Sequence, residues 1–176
     1  MRSLRTMSAA ILLLVAFGLQ AQSKKDKKIM NDAKKAKKTL LKTSPGLKSF
    51  FDQSAGYVLF PNVGKGGFII GGASGNGVVY ENGKAIGMAN LKKLNVGLQA
   101  GGQAIIEIIF FETDVDLMRF KEGKFAFAAE ASAVALKSGA AVNAKYKDGV
   151  AVFALPKAGL MADASVGGQK FGYKAF

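Results

Sequence analysis

The chain has no cysteine and no histidine in 176 residues. Without cysteine there is no disulfide framework and no thiol nucleophile. A chain of this length can build a core that needs no such staples. Without histidine there is no imidazole base, so Ser74 and Ser132 cannot belong to a Ser-His-Asp site. Zinc would have only carboxylates as side-chain ligands, a poor donor set. A phosphate-binding Gly-x-x-x-x-Gly-Lys-Ser/Thr loop is missing as well, and no Gly-x-Gly-x-x-Gly opens a helix after a strand. These absences remove the commonest catalytic and nucleotide-binding chemistries. The chain is read as non-enzymatic and as needing no cofactor.

Acidic residues are also few, and their scarcity is local. The formal net charge is +13. Residues 24–48 hold ten lysines against Asp26 and Asp32, whereas residues 49–176 are nearly balanced. The basic character therefore sits in an N-terminal arm, here bounded at residues 22–48. Before it, Arg2 and Arg5 precede a short apolar run, Ala9 to Phe17, and a small-residue exit near Ala21. That order reads as a secretory signal over residues 1–21, with a cut after Gly18 as the alternative. The run is shorter than the roughly 20 residues a spanning helix needs. The expected location is the periplasm or cell envelope.

Within the arm, Ile29, Ala33, Ala36 and Leu40 recur at helical spacing and make one narrow stripe over Asp26–Thr43. Lys27, Lys28, Lys34, Lys35, Lys38 and Lys42 fall opposite it. Ser44 and Pro45 are expected to cap and start a second short helix, with Leu47, Phe50 and Phe51 as its apolar face. Asp114–Lys121 is a third helical segment, and Thr113 or Asp114 is its expected cap. That role explains the acids Glu112, Asp114 and Asp116 more simply than cation binding does, since the rest of a calcium loop is missing.

The remainder, residues 49–176, reads as strands. Between Tyr57 and Gly102 lie 12 of the 22 glycines, inside segments that are too apolar for a flexible linker. Glycine weakens a strand unless a bend, a bulge or a close backbone approach requires it. A strongly curved, closely packed sheet is the expectation. Asn82-Gly83 and Asp148-Gly149 are two-residue hairpin signals, joining Val78–Glu81 to Lys84–Leu91 and Val142–Tyr146 to Val150–Leu155. Other expected strands are Tyr57–Phe60, ended by Pro61, then Phe68–Ile70, Leu94–Gln103, Ala104–Phe111, Lys124–Leu136, Gly159–Val166 and Lys170–Phe176. Ala104–Phe111 is apolar on both faces except for Glu107, which implies burial on both sides. Glu107 is expected to pair with a lysine or a backbone donor, or to sit at a rim. Val63-Gly64-Lys65-Gly66-Gly67 is expected to be a glycine-rich turn, with phosphate binding by its backbone and Lys65 as the sharper alternative. The fold class is mainly β with N-terminal helices (α+β): a small, strongly curved antiparallel sheet or barrel, with the amphipathic helix on or beside it.

Several of these stretches, in order, resemble the SYLF domain, also called the Ysc84-type actin- and lipid-binding domain. They are Ala55-Gly56-Tyr57-Val58-Leu59-Phe60-Pro61, Val63-Gly64-Lys65-Gly66-Gly67-Phe68, Gly71-Gly72-Ala73-Ser74-Gly75-Asn76-Gly77-Val78-Val79-Tyr80 and Val96-Gly97-Leu98-Gln99-Ala100-Gly101-Gly102-Gln103. Phe110-Phe111 and Ala129-Glu130-Ala131-Ser132 continue the pattern. The resemblance spans roughly residues 26–176 and departs from the family at Met161, Asp163 and Gly167. It implies binding of anionic lipid, phosphoinositides in eukaryotic members, through a basic amphipathic N-terminal helix. Some eukaryotic members also bind actin, which an exported protein would not meet.

The expected function is attachment to anionic headgroups at a membrane surface. The candidate contacts are Lys24, Lys25, Lys27, Lys28, Lys34, Lys35, Lys38 and Lys42, with Lys65 added from the glycine-rich segment. The bland alternative is a docked helix whose lysines are merely solvated. The rival from another class is a small integral outer-membrane β-barrel or structural envelope protein, suggested by the signal, the glycine-rich strands and the terminal Phe176. Its register is poor, because Gly172 and Lys174 fill the positions alternating with Phe176. Nucleic acid is an unsuitable partner, since no aromatics are interleaved with the lysines.

Overall fold

The computed structural model describes residues 24–123, 134–135 and 144–176. The signal-like segment, the expected strand Lys124–Leu136 apart from Val134 and Ala135, and Val142 and Asn143 of the expected strand Val142–Tyr146 lie outside the described residues. A helix (α1) covers residues 24–43, followed by α2 (Leu47–Gln53), β1 (Gly56–Glu81), β2 (Lys84–Phe111), α3 (Asp114–Lys121), β3 (Val134–Ala135) and β4 (Val150–Ala175). The strands form one sheet in the order β1-β2-β4-β3. The β1–β2 and β2–β4 pairs are antiparallel, and the short β3 runs parallel to β4. The fold is mainly β, as expected, but the described sheet has open edges at β1 and β3 and is not a closed barrel. No described helix is long and apolar enough to cross a membrane.

The strands are fewer and longer than the turn signals implied. Tyr57–Phe60, Phe68–Ile70 and Val78–Tyr80 are parts of one strand of 26 residues, and Leu94–Gln103 and Ala104–Phe111 are parts of another of 28. The Val63–Gly67 segment is not a turn: Gly64, Lys65 and Gly66 pair with Ala104, Gln103 and Gly102. Pro61 does not end its strand. The pairing passes from Phe60↔Glu107 to Val63↔Ile105, so Pro61 sits in a bulge on an edge strand, where its missing N–H costs no ladder bond. Pro156 lies at the matching irregularity of β4, opposite Ile105. Lys157, beside it, donates to the Pro61 carbonyl at 3.3 Å and to the Asn62 side chain.

The glycines allow β1 to bend back on itself. A Cβ on Gly56 would lie 2.6 Å from the Tyr80 carbonyl oxygen, and one on Gly77 would lie 2.7 Å from that of Leu59. One on Gly75 would lie 2.9 Å from the Asn62 oxygen. At these three glycines the first and last thirds of one strand pack too closely for a side chain. Asn82-Gly83 joins β1 to β2 as expected, whereas Asp148-Gly149 turns the chain but no strand precedes it in the described residues: Ala144–Tyr146 are not strand, and Lys147 meets Val150 in an isolated bridge. Asn82 and Gly83 have φ of 50° and 75°, and Asp148 and Gly149 have 52° and 79°, the left-handed pairs of a type I′ turn. Lys147 and Val150 exchange both backbone hydrogen bonds across the second turn.

Side chains alternate between two cores. One face of the sheet carries Tyr57, Leu59, Val78, Ile106, Ile108, Phe110 and Phe153, covered by α1 and α2. The other carries Val58, Phe60, Val79, Leu91, Ile109, Phe111 and Val152, closed by Leu117 and Phe120 of α3. Phe50 of α2 meets Phe153 and Phe110 with ring centroids 5.0 and 5.4 Å apart. Tyr57 stacks on Tyr80 at 4.7 Å across the folded strand. Thr113 caps α3 with a reciprocal box: its hydroxyl accepts from the Asp116 N–H, and its own N–H donates to the Asp116 carboxylate at 3.2 Å. Ser44 does not cap α2. Gly46 occupies that position without a side-chain bond, and the Ser44 hydroxyl is buried with no partner among the described residues.

Glu107 lies on the face of the second core and is 2 % exposed. Burial raises its pKa above the usual carboxylate value, opposed by Lys65, Lys93 and a 3.5 Å hydrogen bond from Gln169. The unfolded chain therefore loses this proton at lower pH than the folded one. Between the two pKa values the folded state holds the extra proton, so stability falls as pH rises through that window. Glu107→Gln should abolish this decline and raise stability at neutral pH. Thermal unfolding from pH 4 to 8 would show it; an unchanged pH profile would rule it out.

Candidate functional site

The first core face is also where the candidate surface is built. Ala33 and Leu40 are fully buried and Ala36 is 5 % exposed, while Ile29 and Met30 pack at the margin of the same cluster. Small alanines at 33 and 36 let the helix lie close to the sheet, and Leu40 supplies the main anchor, a burial of about 1.5–3 kcal/mol. The apolar stripe is thus consumed by the protein's own core.

The opposite side of α1 is cationic and open. Lys24, Lys25, Lys27, Lys28, Lys34, Lys35, Lys38 and Lys42 are all exposed. Among the described residues the ion pairs are Lys48–Asp52, Arg119–Asp116 at 3.9 Å and Lys121–Glu81 at 3.3 Å, and none involves α1. These lysines are not sequestered against acids of their own domain. Lys25 turns toward the sheet, and the other seven fall on the outer side of the helix; solvation alone would account for them as single charges, but their number there makes a surface of strong positive potential.

Two lysines behave differently. Lys37, which the helical reading left aside, turns inward. Its ammonium donates to the Tyr57 hydroxyl at 3.1 Å and lies 4.2 Å from the Phe51 ring centroid. Burial lowers its pKa, opposed by Asp52. It pins α1 to α2 and β1 by a cation–π contact. Lys65 is not joined to the arm. By alternation it shares a face with Val63 and Glu107, the face opposite α1, and its charge favours ionisation of Glu107. The phosphate-cradle alternative for its segment fails too, because the flanking glycines lie in the β1–β2 ladder.

Between the first two described turns of α1 and the sheet lies a cleft of about 480 Å³. Lys25, Asp26 and Ile29 form its helix wall, and Asn76, Met88, Asn90, Gly172 and Lys174 form its sheet wall. Asn76, Asn90 and Gly172 are direct neighbours across three strands. A Cβ on Gly172 would lie 2.6 Å from the Asn90 amide nitrogen, so this glycine makes room for that side chain. Sequence spacing gave no sign of the cleft, since its three strands come from separate parts of the chain.

No protein-family model matches the chain. It is similar to the beta cell expansion factor A of Aeromonas veronii, with 30 % identity over 134 residues. That alignment covers 75 % of this chain and 51 % of the other protein. The chain thus spans about half the length of the curated relative it matches.

Proposed function

We propose that the protein is a non-enzymatic binder of anionic lipid headgroups, attached to a membrane surface by the exposed lysine face of α1. The resemblance to SYLF domains supports this reading, and the secretory signal expected over residues 1–21 is consistent with it. One observation carries it: eight exposed lysines on a helix whose apolar side is already buried in the protein. With its stripe occupied, the docked helix has little apolar surface left to insert into a bilayer. Adhesion is then electrostatic, at about 1 kcal/mol for each lysine near an anionic surface, and is weakened by salt.

Vesicle co-sedimentation tests the reading. The full chain should pellet with phosphatidylcholine vesicles containing phosphatidylglycerol, and should remain in solution with phosphatidylcholine alone. Raising salt from 50 to about 500 mM should release it, as the screening length drops well below 10 Å. Equal attachment to both vesicles, or attachment indifferent to salt, would remove the electrostatic mechanism.

A further inference from the structure

The sheet carries a second basic row on the side where α1 lies. Along β2, Leu91 points into the second core, so Asn90 and Lys92 occupy the face of the first. Along β4, Phe171 and Tyr173 pack on the second core, which places Lys170, Gly172 and Lys174 on that same first face. The pairing sets Lys92 directly opposite Lys170, and Met88 opposite Lys174. Ser74 of β1 lies opposite Lys92 on the other side. Lys92, Lys170 and Lys174 are exposed, and among the described residues none lies within ion-pair distance of a carboxylate. Like charges directly opposite each other weaken a sheet. Folding alone gives no reason for the Lys92–Lys170 pair.

The cleft joins this row to the helix. Lys25 of α1 and Lys174 of β4 both line it, together with Asn76 and Asn90, and Asp26 is the one acid among its lining residues. We infer that Lys92, Lys170 and Lys174 form a second contact surface for an anionic bilayer, continuous with the lysines of α1, so that the membrane is met by helix and sheet together. This inference rests on the preceding reading of α1. An extended basic face suits a flat, multiply charged partner, because two rows of lysines on different elements engage several headgroups at once. Asp26 opposes such a partner.

Vesicle titration of full-length variants tests the inference. Each lysine near an anionic surface is worth about fivefold in affinity. Lys92→Gln, Lys170→Gln and Lys174→Gln together should therefore weaken attachment to phosphatidylglycerol-containing vesicles by roughly a hundredfold at low salt. The melting temperature should stay level or rise, because a like-charge opposition is removed. Asp26→Asn should strengthen attachment. If the triple variant fails to fold, Lys92→Gln alone should still weaken attachment about fivefold. Wild-type affinity of the sheet variants, beside lost affinity in Lys34→Gln, Lys35→Gln and Lys38→Gln, would overturn the second surface and leave the α1 reading standing. Wild-type affinity in that α1 variant would overturn the α1 reading, and the inference resting on it, whatever the sheet variants do.

Discussion

Glutamine at Lys34, Lys35, Lys38 and Lys42 should reduce attachment to anionic vesicles by roughly a hundredfold or more at low salt, the combined value of four surface lysines. Folding should be unaffected. All four are exposed, and none is in an ion pair among the described residues. Surface substitutions away from packing and capping features usually change stability by less than about 0.5 kcal/mol. Lys37→Gln provides the contrast. It breaks the contacts to Tyr57 and Phe51, so it should lower the melting temperature while leaving most of the attachment. Circular dichroism melts alongside co-sedimentation separate the two effects. A large fall in stability in the fourfold variant would mean that those lysines serve the fold instead.

Gly77→Ala should destabilise the protein by about 2–3 kcal/mol, and Gly77→Val by more. The added Cβ would lie 2.7 Å from the Leu59 carbonyl oxygen and 2.7 Å from the Phe60 ring. A backbone oxygen cannot rotate out of the way, so the two limbs of β1 must separate. Gly64→Ala is the matched control, being the same change in the same strand with nothing within 4 Å of the new atom. It should change stability by well under 1 kcal/mol. A loss at Gly64 equal to that at Gly77 would show that backbone freedom, and not close packing, explains the glycines.

These two sites show which features of the fold are legible from local pattern. The type I′ turns were, because Asn-Gly and Asp-Gly tolerate φ above zero where other residues are strained. The helix Asp114–Lys121 was, because Thr113 and Asp116 form a capping box at fixed spacing. The α1 stripe was, because Ala33, Ala36 and Leu40 repeat with the helical period. Strand ends were not. Gly71, Gly72, Gly75 and Gly77 look like turn residues, yet they lie in one uninterrupted strand. The residue type that permits a turn also permits a bend with two layers in contact, and only tertiary packing decides between them. Pro61 misled for a similar reason: the bulge at an edge strand removes the need for its N–H.

The candidate surface divides along the same line. The lysines of α1 were visible because one helix arranges them. Lys65 looked like part of the same chemistry but faces the opposite side of the sheet, since the bulge at Pro61 shifts which alternate residues point to each core. Lys92, Lys170 and Lys174 had no distinguishing pattern, and their shared face follows from the β2–β4 register alone.

Lysine footprinting is the most direct measurement. The full chain would be acetylated with and without vesicles, and each lysine's modification read by mass spectrometry. Phosphatidylglycerol-containing vesicles should protect Lys27, Lys28, Lys34, Lys35, Lys38 and Lys42, leaving Lys65 as reactive as in solution, whereas phosphatidylcholine vesicles should protect none. Unchanged reactivity along α1 on the anionic vesicles, or the same protection on both, would contradict the idea that a docked helix holds a cationic face against a negatively charged membrane.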